Sequence, residues 1–395
     1  MSYDIGMIGI GKLGKPVLEF FEETLNKDKN ISKCYGYDII SNISSDNFET
    51  VNSIDELCNK NVDIIFIAVP TPHDKSYDGS IPTSQLPCKN FDTSIVKNVL
   101  IELSKYRNES QTIVLISTVL PGTIREEFSE YIPDLIYNPY FIAMGSVRFD
   151  MKYPEMIVIG VDEKCENIDH LSRLLKFYDI LYNDEFRIVL CTWEEAECIK
   201  VFYNTFISTK IAFVNMIQDF SQKIGNIDAT FVTGTLSEST NRLISNKYMN
   251  PGMGDGGPCH PRDNIALSYL SEKYNIGYDF FGSIMSIREK QSENVAKILI
   301  NKLTTDKLDG IIINGKTYKE GVPLTDGSSS LLIGYYCEKL GYTPIFIDPL
   351  VNDNIEFNKN KKYVILLAHK ELYFKPTKGS IVLDIWNDCN SIIIE

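Results

Sequence analysis

A strand-like run, Ile5 to Ile10, passes directly into Gly9-Ile10-Gly11-Lys12-Leu13-Gly14 and then into an amphipathic segment carrying Phe20, Phe21 and Leu25. Strand, GxGxxG and helix in that order admit few folds. The glycines allow a tight turn and bring backbone close to a pyrophosphate, which the helix N-terminus then faces. A second strand-like run, Lys33 to Tyr37, ends in Asp38, placed to accept hydrogen bonds from a ribose diol. No arginine follows Asp38 directly, which favours NAD over NADP. Gly9, Ile10, Gly11, Lys12, Leu13, Gly14 and Asp38 are therefore expected to hold the cofactor. A glycine turn in some other α/β protein is the alternative.

Two further strand-like runs repeat the pattern. Asp63 to Val69 leads into Pro70-Thr71-Pro72, and Ile113 to Ile116 leads into Ser117-Thr118-Val119-Leu120-Pro121-Gly122-Thr123. Strands alternating with helices imply a parallel, doubly wound sheet, and such sheets bind ligands at the carboxyl ends of their strands. Val69, Pro70, Thr71, Ser117 and Thr118 join the cofactor set on that ground. Thr118 either faces a ligand or caps the helix after it, and position alone leaves both open.

From Glu194 to about Ile224 there is neither proline nor glycine. Ile199, Phe202, Phe206, Phe213, Ile217 and Phe220 fall at helical spacing, and Gly225 is a plausible stop. A helix of that length outruns one domain, so it is expected to bridge domains and to offer its apolar stripe as a dimer interface. Lys200 and Asn204 share one face of it and could together stabilise an oxyanion. Spacing alone favours the plainer fate of a solvated lysine.

The 395 residues suffice for two or three domains. A net charge of −14 repels nucleic acid and anionic membranes, so an anionic substrate would need a locally basic pocket. Nine cysteines without CxxC pairs, and no secretory signal before Tyr3, read as reduced thiols of a cytoplasmic protein. With four histidines and no His/Cys cluster, no metal site is expected. Cys34, Cys58, Cys88, Cys165, Cys191, Cys198, Cys337 and Cys389 are expected to be packing or incidental residues. No run reaches transmembrane length.

Cys259 stands apart. It follows Gly254-Asp255-Gly256-Gly257-Pro258 and precedes His260-Pro261-Arg262-Asp263. A thiol in a glycine-dense loop, with a carboxylate four residues on, is a candidate nucleophile. A Gly/Pro turn that happens to hold a cysteine is equally consistent with the loop taken alone.

Taken together, these motifs resemble the UDP-glucose/GDP-mannose dehydrogenase family, in family order over nearly the whole chain. They are Gly9 to Gly14, Val69-Pro70-Thr71-Pro72, Ser117-Thr118-Val119 with Pro121-Gly122-Thr123, Tyr137-Asn138-Pro139, Glu195-Ala196-Glu197 with Lys200 and Asn204, the cysteine loop with Asp263, Tyr318-Lys319 and Asp348-Pro349. The resemblance implies an α/β fold of two doubly wound Rossmann-like domains joined by a long central helix. The expected divisions are 1–190 for NAD, 191–290 for dimerisation and the cysteine loop, and 291–395 for the nucleotide-sugar. It also implies a homodimer, with neither nucleic acid nor membrane as partner.

The family reaction oxidises a primary alcohol to a carboxylate with two molecules of NAD, here on a nucleotide-sugar. Carried over by position, Cys259 is the nucleophile and Lys200 and Asn204 steady the oxyanion. Asp263 is the base, and Thr118 helps to place water. The implied substrate contacts are Tyr140, Phe141, Lys200, Asn204, Tyr248, Gly252, Gly254, Gly256, Gly257, Tyr318 and Lys319, with Arg242 reaching the neighbouring subunit's substrate. Some positions depart from the family. Tyr140 and Met144 stand where glutamates are usual, Asp255 where an aromatic is usual, Arg262 where a lysine is usual, and Asp326 and Trp386 where arginines are common. The leading substrate is a UDP-hexose. Alternatives are GDP-mannose, a UDP-N-acetylhexosamine, a dehydrogenase that stops at the aldehyde, or a relative that binds without turnover.

Overall fold

A computed structural model describes residues 3–26, 32–40, 45–72, 87–143, 145–163, 168–182, 186–245, 247–249, 252–254, 257, 259–351, 357–387 and 389–394. They form two compact units, Met1–Lys210 and Ile211–Glu395.

The first unit begins β1 (Ile5–Ile8), α1 (Gly14–Leu25), β2 (Cys34–Tyr37), β3 (Glu49–Thr50), α2 (Ile54–Asn59), β4 (Ile64–Ile67), α3 (Ser94–Tyr106) and β5 (Thr112–Leu115). A short π-helical turn, Ile124–Phe128, comes next. Then follow β6 (Ile136–Tyr137), α4 (Val147–Lys152), β7 (Ile157–Val161), α5 (Ile168–Tyr182), β8 (Ile188–Thr192) and α6 (Trp193–Ile224). The eight strands lie in the order β3-β2-β1-β4-β5-β6-β7-β8. All pair in parallel except β6 with β7. The order reverses between β1 and β4, which opens a crevice at the carboxyl ends of those strands.

Helices cover both faces, so β1, β4 and β5 are buried at every residue and carry continuous apolar runs rather than alternation. On one face Phe21 of α1 meets Phe66 of β4 and Phe177 of α5, with both ring centroids 5.1 Å away. Val17, Leu18, Phe21 and Leu25 form the inward stripe of α1, and Val96, Val99, Leu100 and Leu103 that of α3.

The second unit holds α7 (Ala229–Ser237), α8 (Cys259–Lys273), α9 (Phe280–Thr305), β9 (Gly310–Asn314), α10 (Ser329–Lys339), β10 (Ile345–Ile347), β11 (Tyr363–Leu367), β12 (Ile381–Asp384) and β13 (Asn390–Ile393). Its sheet runs β10-β9-β11-β12-β13, parallel but for β13. The two doubly wound α/β sheets inferred from the sequence are thus present, with strand ends within a few residues of expectation.

The expected long helix runs from Trp193 to Ile224. Its apolar stripe does not form one core face. Phe220 is buried beside Phe281, whereas Phe202, Phe206 and Phe213 are exposed. Cys34, Cys58 and Cys337 are buried, as packing residues would be; Cys165 lies outside the described residues. No helix of the described residues is long and apolar enough to cross a membrane.

Candidate active site

The turn between β1 and α1 is built around its glycines. Gly9 has φ of +91°, and a Cβ on Gly14 would meet the Gly9 carbonyl oxygen at 1.9 Å, so neither position admits a side chain. A Cβ on Gly11 would meet nothing within 4 Å, which leaves that side of the turn open to a ligand. Above it lies a cleft of about 580 Å³. Its walls are the loops at the carboxyl ends of β1, β2, β4 and β5, and include Gly9, Gly11, Lys12, Leu13, Asp38, Val69, Pro70, Thr71, Ser117 and Thr118. Apart from Ile10 and Gly14, every expected cofactor residue lines this one cleft; Gly14 opens α1 beneath it. The residues present fit a dinucleotide: an open glycine turn at a helix N-terminus, and a half-exposed carboxylate at Asp38 for a ribose.

Hydrogen bonds tie the two inner loops together. The Ser117 hydroxyl donates to the Val69 carbonyl at 2.6 Å, and the Thr71 hydroxyl to the Thr118 carbonyl at 2.7 Å. Thr118 is half-buried at the cleft, and the cap position of the turn that follows is taken by Thr123 instead.

Lys200 departs from the solvated fate that spacing favours. It is 8% exposed, lines the same cleft, and donates to the Tyr140 carbonyl at 2.8 Å. Its Nζ sits 5.2 Å from the centre of the Phe141 ring. Burial pushes its pKa below the usual lysine value. Asn204, one turn along α6, is exposed.

Tyr140 presents its main chain rather than its hydroxyl to this lysine. The phenol lies 3.1 Å from that of Tyr178, which in turn donates to the Asn138 side-chain oxygen. Burial raises the phenol further above its usual range, although the Tyr178 bond works against that. The side chain that replaces the usual glutamate is therefore no base at all near neutrality. Met144, the second such position, lies outside the described residues.

In the second unit Cys259 is exposed and is the first residue of α8. Asp263 follows one turn later on the same helix. Its carboxylate accepts from Arg262 at 2.9 Å through Nε and 2.8 Å through Nη2. That bond, and then the charge of Asp263, hold the Arg262 guanidinium in its charged form, with Cys259 a lesser contributor. Asp255 and Gly256 lie outside the described residues. Gly257 is buried with φ of +85°, and a Cβ there would touch the Tyr318 ring at 3.0 Å. Arg242 and Tyr248 are exposed.

At the carboxyl ends of β9, β11 and β12 a cavity of about 230 Å³ is lined by Thr317, Tyr318, Lys319, Ser329, His369, Lys370 and Trp386. Buried Asp348 shapes its rim by accepting from the backbone N–H groups of Lys316 and Thr317, both at 2.8 Å. Trp386 lies against Gly252, where an added Cβ would meet the indole at 2.4 Å. Asp326 is exposed and is not among the residues lining this cavity.

Sequence reasoning missed Glu197. It is fully buried on α6, and its carboxylate accepts from the N–H groups of Gly122 and Ile124. Its place one turn before Lys200 was the available signal.

Comparison with known proteins agrees with this geometry. The NAD binding domain of the UDP-glucose/GDP-mannose dehydrogenase family matches residues 5–181, and the central domain of the same family matches residues 194–290. UDP-glucose 6-dehydrogenase of Rickettsia typhi is 28% identical over 375 residues, 93% of this chain and 79% of the relative. GDP-mannose 6-dehydrogenase of Pseudomonas aeruginosa is 26% identical over 319 residues, 76% of this chain and 67% of the relative. Among solved structures, a ternary complex of GDP-mannose dehydrogenase from Pseudomonas aeruginosa shares the fold, with a TM-score of 0.79, 20% identity and 96% of each chain covered.

Proposed function

This chain belongs to the UDP-glucose/GDP-mannose dehydrogenase family and is an NAD-dependent nucleotide-sugar 6-dehydrogenase, and we propose that it oxidises the C6 alcohol of a UDP-hexose to the uronate through a covalent intermediate on Cys259. The observation that supports this most is the burial of Lys200 in the same cleft as Ser117, Thr118 and the glycine turn. A lysine is held in so confined a place when its charge has a task.

NAD supplies the hydride acceptor, twice per sugar. Gly9 to Gly14 and Asp38 hold it, with Thr71, Ser117 and Thr118 shaping the inner wall. In the first half-reaction the alcohol would lose a hydride from C6 to the bound nicotinamide and a proton from its oxygen to solvent water, leaving an aldehyde. The Cys259 thiolate then adds to the aldehyde carbon. The new C–S bond gives a thiohemiacetal whose carbon can lose a second hydride. The product thioester is cleaved by water, which breaks the C–S bond and releases the carboxylate and the thiol. Lys200 and Asn204 steady the negative charge on oxygen at each stage. Asp263 takes the proton from water, with Thr118 helping to place it. The cavity beside Tyr318 and Lys319 takes the nucleotide, with Phe141, Tyr248, Gly252 and Gly257 near the sugar. The Tyr140 backbone contributes through Lys200.

The exposed Phe202, Phe206 and Phe213 on α6 support a homodimer built on that helix, with Arg242 reaching the neighbouring site. Cysteines without CxxC spacing, three of them buried as packing residues at Cys34, Cys58 and Cys337, support a cytoplasmic enzyme. A uronate product fits a place in polysaccharide biosynthesis.

NADH release should be measured with UDP-glucose, UDP-N-acetylhexosamines and GDP-mannose. Two NADH per UDP-glucose is expected. Two NADH from GDP-mannose alone would move the substrate to the guanosine class, and none from any sugar would leave a binding protein. Cys259→Ser should halt turnover after the aldehyde. Full four-electron oxidation by that variant would rule out covalent catalysis.

A further inference from the structure

The segment of α6 in the first unit grips two loops at the cofactor end of the sheet. Lys200 holds the loop after β6 through the Tyr140 carbonyl. Three residues earlier, and therefore on the same side of the helix, Glu197 holds the loop after β5. Its Oε2 accepts from Gly122 N at 2.6 Å and its Oε1 from Ile124 N at 2.9 Å. Both donors come from the turn that begins at Ser117, whose own bonds to Val69 and Thr71 shape the cleft wall. Gly122 has φ of +91°, so the turn takes a course that most residues resist.

We propose that Glu197 is a positioning residue of the dehydrogenase: its buried carboxylate fixes the Ser117–Ile124 segment, and with it Thr118, in the shape that receives NAD.

An ordinary surface carboxylate could not do this. Glu197 is 0% exposed, and among the described residues no side-chain cation bonds it; two backbone N–H groups satisfy its two oxygens instead. Both are donors, so only the ionised form can accept from both at full strength. On protonation one oxygen becomes a hydroxyl, which must confront an N–H. The groups that face it are Glu194 and Cys198 from its own helix, Arg125 from the following turn, and Tyr137 from β6. Burial pushes its pKa up to about 7, against the pull of the Ile124 and Gly122 bonds. The latch is therefore complete above neutrality and weakened below it.

The proposal rests on NAD binding in this cleft, so the test reads binding directly. NAD should be titrated calorimetrically into the wild-type protein and into Glu197→Gln from pH 6 to 8.5. Glutamine keeps the size of the side chain but offers one acceptor oxygen, like the protonated acid. The wild type should bind about tenfold more tightly above neutrality than at pH 6, and Glu197→Gln should show the weaker affinity throughout, without the step. Equal affinity of the two proteins at pH 8, or a step of the same size in both, overturns the assignment. Should Glu197→Gln fail to fold, Glu197→Asp decides. It keeps the charge but withdraws the oxygens, and unchanged NAD affinity in it refutes the latch. Absence of NAD binding by the wild type at every pH would sink the cofactor reading itself, a separate result.

Discussion

The Lys200 ammonium donates to the main-chain carbonyl of Tyr140, 2.8 Å away and 60 residues earlier in the chain. Two residues that sequence comparison treats separately are thus one unit. The lysine fixes the backbone at Tyr140, which frees the phenol to turn inward to Tyr178. The aromatic side chain at this position leaves the lysine anchor intact, because that anchor is to the main chain.

Tyr140→Phe should test that separation. Losing the bond to Tyr178 should cost about 1 kcal/mol in denaturant unfolding. kcat and KM should stay within a factor of about two, since 1.4 kcal/mol of barrier would already be tenfold. A large fall in kcat would show that the hydroxyl takes part in the reaction. With no carboxylate at 140, an acyl adduct on Cys259 should also be visible by mass spectrometry of enzyme quenched during turnover. Its absence while two NADH form per sugar would contradict slow hydrolysis.

The glycines of the β1–α1 turn should fail in two different ways. A methyl on Gly14 collides with the Gly9 carbonyl oxygen, so Gly14→Ala should lower Tm and abolish NAD binding together. A methyl on Gly11 collides with no protein atom, so Gly11→Ala should keep Tm and weaken NAD by about tenfold or more. Unchanged NAD affinity in Gly11→Ala would mean that the cofactor does not approach this face.

Asp38 should govern the choice between NAD and NADP. It stands at the end of β2 on the cleft wall, and its carboxylate also accepts from Ile40 N at 3.0 Å. A 2′-phosphate there would meet a like charge. Asp38→Ala should raise the ratio of kcat/KM for NADP over NAD by about tenfold or more, roughly 1.4 kcal/mol of discrimination. An unchanged ratio would remove Asp38 from the ribose site.

At the opposite end of the sheet, Asp134 should stabilise without serving catalysis. Its carboxylate lies 2.8 Å from Arg107 Nη2 and 3.1 Å from His170 Nε2, while His170 Nδ1 meets the Thr112 hydroxyl at 2.9 Å. Burial alone would raise its pKa; the His170 and Arg107 contacts outweigh burial and hold it below the carboxylate range. A lowered folded-state value means that the stabilisation is present above the unfolded value near 3.9 and is lost as pH falls below it. Asp134→Asn should cost about 3 kcal/mol at pH 7, less as the pH drops below 4, and leave kcat unchanged. Equal unfolding free energies at pH 7 would show the cluster to be neutral.

How much of this was legible differs by element. The strands of the first sheet were, because a parallel sheet covered on both faces demands unbroken apolar runs such as Ile64 to Ile67. The glycine turn was too, because Gly9 and Gly14 answer constraints within a few residues of themselves. From spacing alone Lys200 reads as a solvated lysine, because its burial depends on the loop after β6, which spacing does not place. Nothing in spacing separated the buried and exposed parts of the α6 stripe either, since both satisfy the same helical period.

By itself, the sequence determined the α/β class, the cofactor turn with Asp38, the long helix and the candidate thiol at Cys259, all features of local period, backbone freedom or side-chain chemistry. Only the tertiary structure decided which way Tyr140 points, that Lys200 is buried at the cofactor cleft, and that Glu197 latches the turn after β5. The reason is physical. A buried polar group must find a partner wherever the fold brings one, and for Lys200 and Glu197 those partners lie 60 and 75 residues away along the chain.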